Sequence, residues 1–315
     1  MGSSSGSSWL PGRIWYIYYT FTMKIRKAVI PAAGFGTRFL PASKAQPKEM
    51  LPIVDTPTIQ YVMEEVENAG ISDVLMIIGK GKRAIEEHFD RNFELETELA
   101  EKKRLQELND IRRISEMCNI YFVYQKELNG LGDAVSYARS HVGDEPFVVL
   151  LGDTIIDTNN GNSITAEMIR VYEQYQAPVV LLEEVDPKKV SRYGIVGGKM
   201  LGNNIFEIDR LVEKPSVEEA PSNLAVAGRY ILTPDIFECI DQTPRGKNDE
   251  IQLTDAMQLL LKRRRFYGLK LDGVRHDIGN KLDFVKTNIL YALKRKDMGE
   301  EVRRFILEIA GRLEK

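Results

Sequence analysis

From residue 23 onward, short apolar runs alternate with segments whose apolar residues recur at helical spacing. Runs of this length, bounded by polar residues, are typical of buried parallel strands. The predicted strands are Ala28–Pro31, Val74–Ile78, Ile120–Tyr124, Phe147–Leu151 and Val179–Val185. A helix is predicted between the first two, where one face carries Ile59, Val62, Met63 and Val66. Gly70 then ends this helix. The alternation predicts an α/β fold with a mostly parallel central sheet flanked by helices.

Three stretches depart from this alternation. Residues 90–117 are rich in charge, with leucines at helical spacing, which predicts a solvated helical hairpin between two strands. From about residue 187 the runs shorten and glycines become frequent, which predicts β-hairpins in a small β-rich lobe covering the first part. Residues 298–315 carry an apolar stripe from Val302 to Leu313. This stripe predicts an amphipathic helix that packs on its own domain or on a second copy of the chain.

The first 22 residues read differently from the remainder. They begin with a Ser/Gly-rich run and continue into an aromatic stretch that holds both tryptophans of the chain, Trp9 and Trp15. No basic region precedes this stretch, and it is too short to span a membrane. We interpret residues 1–22 as a vector-derived or upstream-translated leader, non-native or disordered, with Met23 as the natural start. The alternative is an aromatic interaction arm.

Composition excludes several classes of protein. The 315 residues are 43% hydrophobic and 28% charged, which is far from the composition of a disordered chain. With 43 basic and 46 acidic residues, the net charge of −3 argues against a broad nucleic-acid-binding surface, and no segment reads as a membrane span. Cys118 and Cys239 have no CxxC spacing, so we expect neither a disulfide framework nor a zinc site, and a cytoplasmic location.

The segment most suggestive of chemistry is residues 31–53, PAAGFGTRFLPASKAQPKEMLPI. A predicted strand opens there into a glycine-containing loop, and glycines at a strand's carboxyl end allow backbone N–H groups to approach a phosphate. The loop is neither a Walker motif nor a GxGxxG motif, and alone it could be a plain tight turn. Two cations, Arg38 and Lys48, lie on the same proline-stiffened loop, which favours a phosphate site.

The pattern GxGTRFLPxxKxxPKEMLPI resembles the signature of bacterial and archaeal UTP–glucose-1-phosphate uridylyltransferases, members of the nucleotide-sugar pyrophosphorylase superfamily. The resemblance covers essentially residues 23–296. It implies a Rossmann-like GT-A fold, Mg²⁺, and the conversion of UTP and glucose 1-phosphate to UDP-glucose and pyrophosphate. The implied nucleotide-binding positions in the first loop are Ala32, Ala33, Gly34, Gly36 and Thr37.

Two aspartates are candidate metal ligands. Asp153 follows the strand Phe147–Leu151, and an aspartate there points into the crevice where open α/β sheets bind ligands. Asp277 precedes a predicted helix, where a capping role is the simpler interpretation. Two carboxylates that converge on triphosphate oxygens would form a Mg²⁺ site. The resemblance assigns this role to Asp153 and Asp277.

Further motifs follow in the family's order. In Glu213-Lys214-Pro215, the resemblance implies that Lys214 holds the sugar phosphate and that Glu213 binds sugar hydroxyls, although such a lysine could simply reach the surface. Tyr193-Gly194 and Gly228 resemble segments where the sugar approaches the backbone, or they are simple hairpin glycines.

A third group resembles the family's base-binding segment. Gln125 follows the strand Ile120–Tyr124 and resembles a glutamine that hydrogen-bonds the base edge, while Gly130 precedes a helix beside the base. Asp133 replaces a frequent histidine, which leaves fine base selectivity open. At the start of a helix, its carboxylate suits the helix dipole.

The resemblance therefore predicts an enzyme whose catalytic residues are Arg38, Lys48, Asp153, Lys214 and Asp277. We expect a catalytic domain at 23–297, with a nucleotide-binding part at about 23–186 and a sugar-binding part at about 187–280. The expected partners are UTP, glucose 1-phosphate, UDP-glucose and pyrophosphate, and the expected assembly is a homodimer or homotetramer. Three alternatives remain: a dTTP-dependent or other sugar-phosphate nucleotidyltransferase, a non-catalytic paralogue, and a GT-A glycosyltransferase.

Overall fold

The computed structural model describes residues 24–313, so the predicted leader lies outside the described residues. The strands are β1 Lys27–Ala32, β2 Pro52–Ile53, β3 Thr56–Pro57, β4 Asp73–Ile78, β5 Asn119–Tyr124, β6 Phe147–Leu150, β7 Thr154–Thr158, β8 Val179–Glu184, β9 Gly194–Gly202, β10 Ile205–Glu213, β11 Leu224–Leu232, β12 Phe266–Lys270 and β13 Gly273–Asp277. All five strands expected from the apolar runs are present, within one or two residues at their ends.

The helices lie between the strands and at the carboxyl end. They are α1 Thr58–Asn68, α2 Arg83–Phe89, α3 Phe93–Glu101, α4 Leu105–Glu116, α5 Leu131–Ser136, α6 Arg139–Val142, α7 Ile164–Tyr175, α8 Ile236–Gln242, α9 Leu253–Leu261, α10 Lys281–Lys294 and α11 Gly299–Leu313. The predicted hairpin at 90–117 is confirmed: α3 and α4 pack on each other between β4 and β5. The predicted C-terminal amphipathic helix is α11.

Nine strands form one central sheet in the order β5-β4-β1-β6-β11-β8-β12-β10-β9. Helices cover both faces of this sheet, and an apolar core lies on each face. Side chains along β1 alternate between the two cores: Ala28 and Ile30 enter one, and Val29 enters the other. All three of these side chains are fully buried. A strand buried on both faces explains why the runs in the sequence are continuously apolar.

The prediction of a mostly parallel sheet is wrong for the sheet as a whole. The pairs β5–β4, β4–β1, β1–β6 and β8–β12 are parallel, whereas β11 runs antiparallel to β6 and β8, and β10 runs antiparallel to β12 and β9. The reason lies in the connections. Asn203 and Asn204, both with positive φ, join β9 to β10 in a tight turn, and such a turn links only antiparallel neighbours.

The predicted β-hairpin after residue 187 consists of β9 and β10. These strands lie at the edge of the central sheet and extend it, so they do not form a separate layer over the first part of the chain. β9 also pairs with β11, where Ile195 lies opposite Ala225, and this pairing brings the start of β9 back toward the middle of the sheet.

A second, two-stranded sheet brings distant chemistry together. β7 pairs antiparallel with β13, and Asp277 lies opposite Thr154 in this pairing. The backbone N–H of Ile278 also donates to the carbonyl of Asp153 at 3.0 Å. The register of this small sheet thus places Asp277 beside Asp153.

One charged side chain is enclosed in the core. Arg229 on β11 is fully buried and makes a bidentate pair with Glu65 of α1, with its closest contact at 2.7 Å. Its guanidinium also donates to the carbonyl oxygens of Thr154, at 2.8 Å, and Gly228, at 3.0 Å. Arg229 therefore ties α1 to the two segments that flank Asp153 and Gly228.

Among residues 24–313, none of the helices combines the length and the apolar character that crossing a membrane would require.

Candidate active site

A cleft of about 780 Å³ opens where β1, β5 and β6 end. All the residues predicted as site residues line it: Ala32, Ala33, Gly34, Gly36, Thr37, Arg38, Lys48, Gln125, Gly130, Asp153, Tyr193, Gly194, Glu213, Lys214, Gly228 and Asp277. The carboxyl ends of parallel strands meet at one sheet edge, where open α/β sheets bind ligands. The structure therefore brings together residues that are widely separated along the chain, and their individual roles remain predictions.

The glycine loop after β1 is shaped by one left-handed residue. Gly36 has φ +64°, and a β-carbon added there would lie 3.1 Å from Cβ of Lys48. Ser43 Oγ donates to the Gly36 carbonyl at 2.7 Å and holds this turn. Gly36 is therefore required both for its backbone conformation and for the path of the Lys48 side chain. Nearby Gly34 has open space around it and no left-handed backbone, so neither reason requires a glycine there.

Lys48 lies on a 3₁₀ turn, Lys48–Met50, and points into the cleft. Its ammonium donates to Oδ2 of Asp153 at 2.5 Å. Burial alone would raise the pKa of Asp153, but the Lys48 ammonium outweighs it and holds that pKa below its usual range. Burial also opposes the charge on Lys48, yet the carboxylates of Asp153 and Glu49 raise its pKa. The charge on each side chain therefore favours the ionised form of the other.

The residue after Lys48 forms a buried ion pair that the sequence did not reveal. Glu49 is 1% exposed and Lys82, which follows β4, is 5% exposed, with a contact of 2.7 Å. Burial raises the pKa of Glu49, although the Lys82 and Lys48 charges oppose this. The pair anchors the turn that carries Lys48. The sequence feature that could have indicated this pair is Lys-Gly-Lys at residues 80–82, just after the carboxyl end of β4.

Asp153 and Asp277 converge at Gly279. A β-carbon at Gly279 would lie 3.0 Å from Oδ1 of Asp277 and 3.3 Å from Oδ2 of Asp153. Arg38 reaches the same place, and its Nη1 donates to the Gly279 carbonyl at 3.2 Å. Burial raises the pKa of Asp277, and the negative charge of Asp153 raises it further. Two carboxylates held this close favour binding a cation between them.

No group of three or more His, Cys, Asp or Glu within residues 24–313 is arranged to hold a metal ion. Asp153 and Asp277 alone would supply two oxygen-donor side chains. Mg²⁺ is usually bound by one or two carboxylates together with water and substrate phosphates. The donor set therefore fits Mg²⁺ in the presence of a phosphate ligand and does not fit a site built from protein side chains alone.

Gln125 and Gly130 occupy another end of the cleft. The side chain of Gln125 is 7% exposed, and its Nε2 donates to Oδ2 of Asp133 at 2.7 Å. Asp133 lies in the first turn of α5, as expected, and its carboxylate accepts the Gln125 hydrogen bond there. Gly130 has φ +106°, and a β-carbon there would lie 2.7 Å from the carbonyl of Ile251. Packing against Ile251 therefore explains Gly130 without a ligand.

The sugar-phosphate candidates line the side of the cleft formed by β9, β10 and β11. Lys214 has φ +47° and its ammonium pairs with Oε1 of Glu213 at 3.0 Å. Its backbone N–H donates to the carbonyl of Tyr193 at 2.9 Å. A side chain at Gly194 would meet Thr254 and Glu213, and Gly228, with φ +73°, lies where the pairing of β11 with β8 is irregular. A left-handed lysine costs backbone energy, which indicates that its position is specified by its surroundings.

Several lining residues were not predicted. Arg275 stacks on the ring of Tyr193, 4.9 Å from its centroid, and donates to Glu183 at 2.6 Å. Strand alternation places Arg275 on the same face as Asp277, which was a usable signal. Gln252 and Thr254, at the start of α9, also line the cleft. No local pattern marked them, because their position depends on how α9 packs.

Comparison with known proteins is consistent with this geometry. Residues 27–293 match the family model described as nucleotidyl transferase. The chain is 49% identical over 286 residues to the UTP–glucose-1-phosphate uridylyltransferase 2 of Staphylococcus saprophyticus, covering 91% of this chain and 98% of that protein.

Solved structures are similar over the same range. One is a UDP-glucose pyrophosphorylase complexed with UDP-glucose, which is 43% identical with a TM-score of 0.80, covering 86% of this chain and 100% of that chain. Another is a UTP-bound UGPase from Acinetobacter baumannii, which is 41% identical with a TM-score of 0.84, covering 90% of this chain and 99% of that chain.

Proposed function

Because this chain belongs to the nucleotidyl transferase family, among the UTP–glucose-1-phosphate uridylyltransferases, we propose that it makes UDP-glucose and pyrophosphate from UTP and glucose 1-phosphate. The observation that carries this proposal is the convergence of Arg38, Lys48 and Lys214 with two carboxylates in one cleft. Such a cleft is suited to two polyanionic substrates, although the chain as a whole is net acidic.

The chemistry needs positioning more than proton transfer. An oxygen of the sugar phosphate attacks the α-phosphorus of the nucleotide in line, and the bond from that phosphorus to the pyrophosphate oxygen breaks. A phosphate dianion is already a nucleophile, so no general base is required. The barrier lies in bringing two polyanions together, which placed positive charges lower.

Each cation has a separate part in this proposal. Arg38, at the glycine loop, binds the pyrophosphate that leaves. Lys48 lies next to the α-phosphate, where it exchanges part of its contact with Asp153 for phosphate oxygens. Lys214 holds the sugar phosphate, and Glu213 beside it accepts hydrogen bonds from sugar hydroxyls. The loop from Ala32 to Thr37 offers backbone N–H groups to the nucleotide phosphates.

We assign Mg²⁺ to Asp153 and Asp277. The fit rests on the approach of both carboxylates to Gly279, with Arg38 at the same point. When bound, the ion would neutralise phosphate charge as the pyrophosphate leaves. The two aspartates would hold the ion, and the neighbouring Lys48 lowers the pKa of Asp153.

A pyrophosphate-release assay tests the proposal. The protein is incubated with Mg²⁺ and glucose 1-phosphate, and with UTP, dTTP, CTP, ATP or GTP in turn. We expect release with UTP, and none when the sugar phosphate is omitted. Activity with dTTP alone would identify the dTTP-dependent alternative. Hydrolysis of UDP-glucose without pyrophosphorolysis would identify a glycosyltransferase, and no turnover with any pair would identify a non-catalytic paralogue.

We also propose that the chain forms a homo-oligomer through α10 and α11. Phe305 is 60% exposed and Leu313 is 82% exposed on α11, and α10 beside it exposes Leu282 and Val285. These exposures show that the predicted stripe is largely uncovered by its own domain. An exposed patch of this kind is typical of a protein interface.

A further inference from the structure

Gln125 and Asp133 form a hydrogen-bonded pair on the segment that runs from the end of β5 into α5. This segment lines the cleft with one amide, Gln125, and four apolar or glycine residues, Leu128, Gly130, Leu131 and Ala134. A surface that is apolar apart from one hydrogen-bonding side chain suits the flat ring of a nucleotide base. Since UTP is the nucleotide of the proposed function, this inference rests on that function.

The orientation of the Gln125 amide is fixed by chemistry. An ionised aspartate only accepts hydrogen bonds, so the group facing Asp133 must be the NH₂ of Gln125. The contact is 2.7 Å, and the backbone N–H of Gln125 is held by the carbonyl of Ile78 at 2.9 Å. With Nε2 occupied in this way, Oε1 is the atom that Gln125 can present to a ligand.

We propose that Asp133 determines base specificity by holding Gln125 as a hydrogen-bond acceptor. The base edge of uridine carries a single N–H, at N3, so an acceptor that reads uracil must meet that group. Cytosine has a lone pair at N3 instead, which would face the Gln125 oxygen without a hydrogen. At the N3 position the pair therefore favours uracil and thymine, which carry a hydrogen there, over cytosine, which does not.

Asp133 acts through Gln125 and is a positioning residue. An asparagine at 133 can donate as well as accept, so it would allow Gln125 to turn its NH₂ toward the base. An alanine at 133 would leave the amide free to rotate. Both changes remove the preference for an acceptor while leaving the cations and carboxylates of the cleft intact.

The test measures base preference by binding and by turnover. Calorimetry gives the Kd values of UMP and CMP, and pyrophosphate release gives kcat/KM for UTP and CTP, for wild type, Asp133→Asn and Asp133→Ala. We expect the preference for the uracil nucleotide over the cytosine nucleotide to fall roughly 10- to 100-fold in both variants, the scale of one buried polar group left unpaired. Asp144→Asn is the matched control, an exposed aspartate outside the cleft, and should keep the wild-type ratio.

The outcomes separate this inference from the proposed function. An unchanged preference in both folded variants, or a wild type that binds CMP as tightly as UMP, overturns the role of Asp133. A wild type that selects UMP over CMP through Asp133 but makes no UDP-glucose upholds the inference and overturns the proposed function. If Asp133→Asn were unstable by thermal unfolding, Asp133→Ala and the UMP/CMP ratio would still decide.

Discussion

The ammonium of Lys48 contacts the carboxylate of Asp153 at 2.5 Å, although the two residues are 105 positions apart in the chain. This contact joins the glycine loop to the predicted metal site, because Asp153 also approaches Asp277 at Gly279. The predicted phosphate-binding lysine and the predicted metal ligand are thus neighbours, and the charge of each shifts the pKa of the other in favour of its ionised form.

We expect Lys48→Met and Asp153→Asn each to fold and to lose activity by roughly 10²- to 10³-fold, the usual effect of removing one group that stabilises transition-state charge. Steady-state pyrophosphate release, with circular dichroism as the folding check, measures this. Lys44→Met is the matched control, since Lys44 is exposed on the same loop and does not line the cleft. If Lys48→Met raised only KM for UTP and left kcat unchanged, Lys48 would be a binding residue.

Gly36→Ala tests how the loop positions that lysine. A β-carbon at Gly36 would press on the Lys48 side chain at 3.1 Å and would also carry the left-handed backbone cost of about 1–2 kcal/mol. We expect lower kcat/KM together with a lower melting temperature. Gly161→Ala is the control, because Gly161 also has positive φ but has open space around it. Equal activity in the two variants would contradict the positioning role.

Substitutions at Arg229 and Glu65 test how much their buried ion pair contributes to stability. Replacing Arg229 by methionine leaves Glu65 without its guanidinium partner, and breaking a buried pair in this way costs about 3–5 kcal/mol of unfolding free energy. Denaturant unfolding measures the loss. The double variant Arg229→Met/Glu65→Gln removes both charges and should recover part of it. A double variant no more stable than the single one would indicate that the carbonyl contacts of Arg229 matter more than the pair.

The three histidines predict the direction of a pH effect. Burial lowers the pKa of His88, of His141 and of His276. The unfolded chain therefore takes up protons near the ordinary histidine pKa of about 6.5, whereas the folded chain resists them until lower pH. The contribution of the histidines to the free energy of unfolding should be fully present above pH 7. It should decline as pH falls through this range, by at most about 1.4 kcal/mol per pH unit for each histidine.

Unfolding midpoints between pH 7.5 and 5 measure this decline. His88→Gln removes one of the three sites, so its midpoint should depend less steeply on pH than that of the wild type. A variant with an unchanged slope would contradict the assignment to His88.

Phe305→Asp and Ile309→Asp test the exposed face of α11. A charge on this face should disfavour association, so we expect a lower molecular mass in sedimentation or light scattering at equal concentration. Leu307→Asp is the matched control, since Leu307 is 66% exposed on α11 but lies off the apolar stripe. A wild type that is monomeric at high concentration would overturn the proposed oligomer.

Local patterns predicted much of the fold. The five apolar runs became strands and residues 90–117 became α3 and α4, because a helix and a buried strand each impose a short repeat on the sequence. The direction of β11 was beyond such patterns. Its run Leu224–Leu232 is buried throughout, and a buried strand reads the same whether its neighbours run parallel or antiparallel.

By itself, the sequence determined five strands of the central sheet, the glycine loop, the family and sixteen of the residues that line the cleft, since each was marked by a motif or repeat of residues close together in the chain. Only the tertiary structure decided which of these residues touch. The register of β7 against β13 brings Asp277 to Asp153, and the path of the chain from the end of β5 into α5 pairs Asp133 with Gln125. The first contact joins segments 124 positions apart and the second spans only eight residues, yet both depend on strand register or packing that no local pattern specifies.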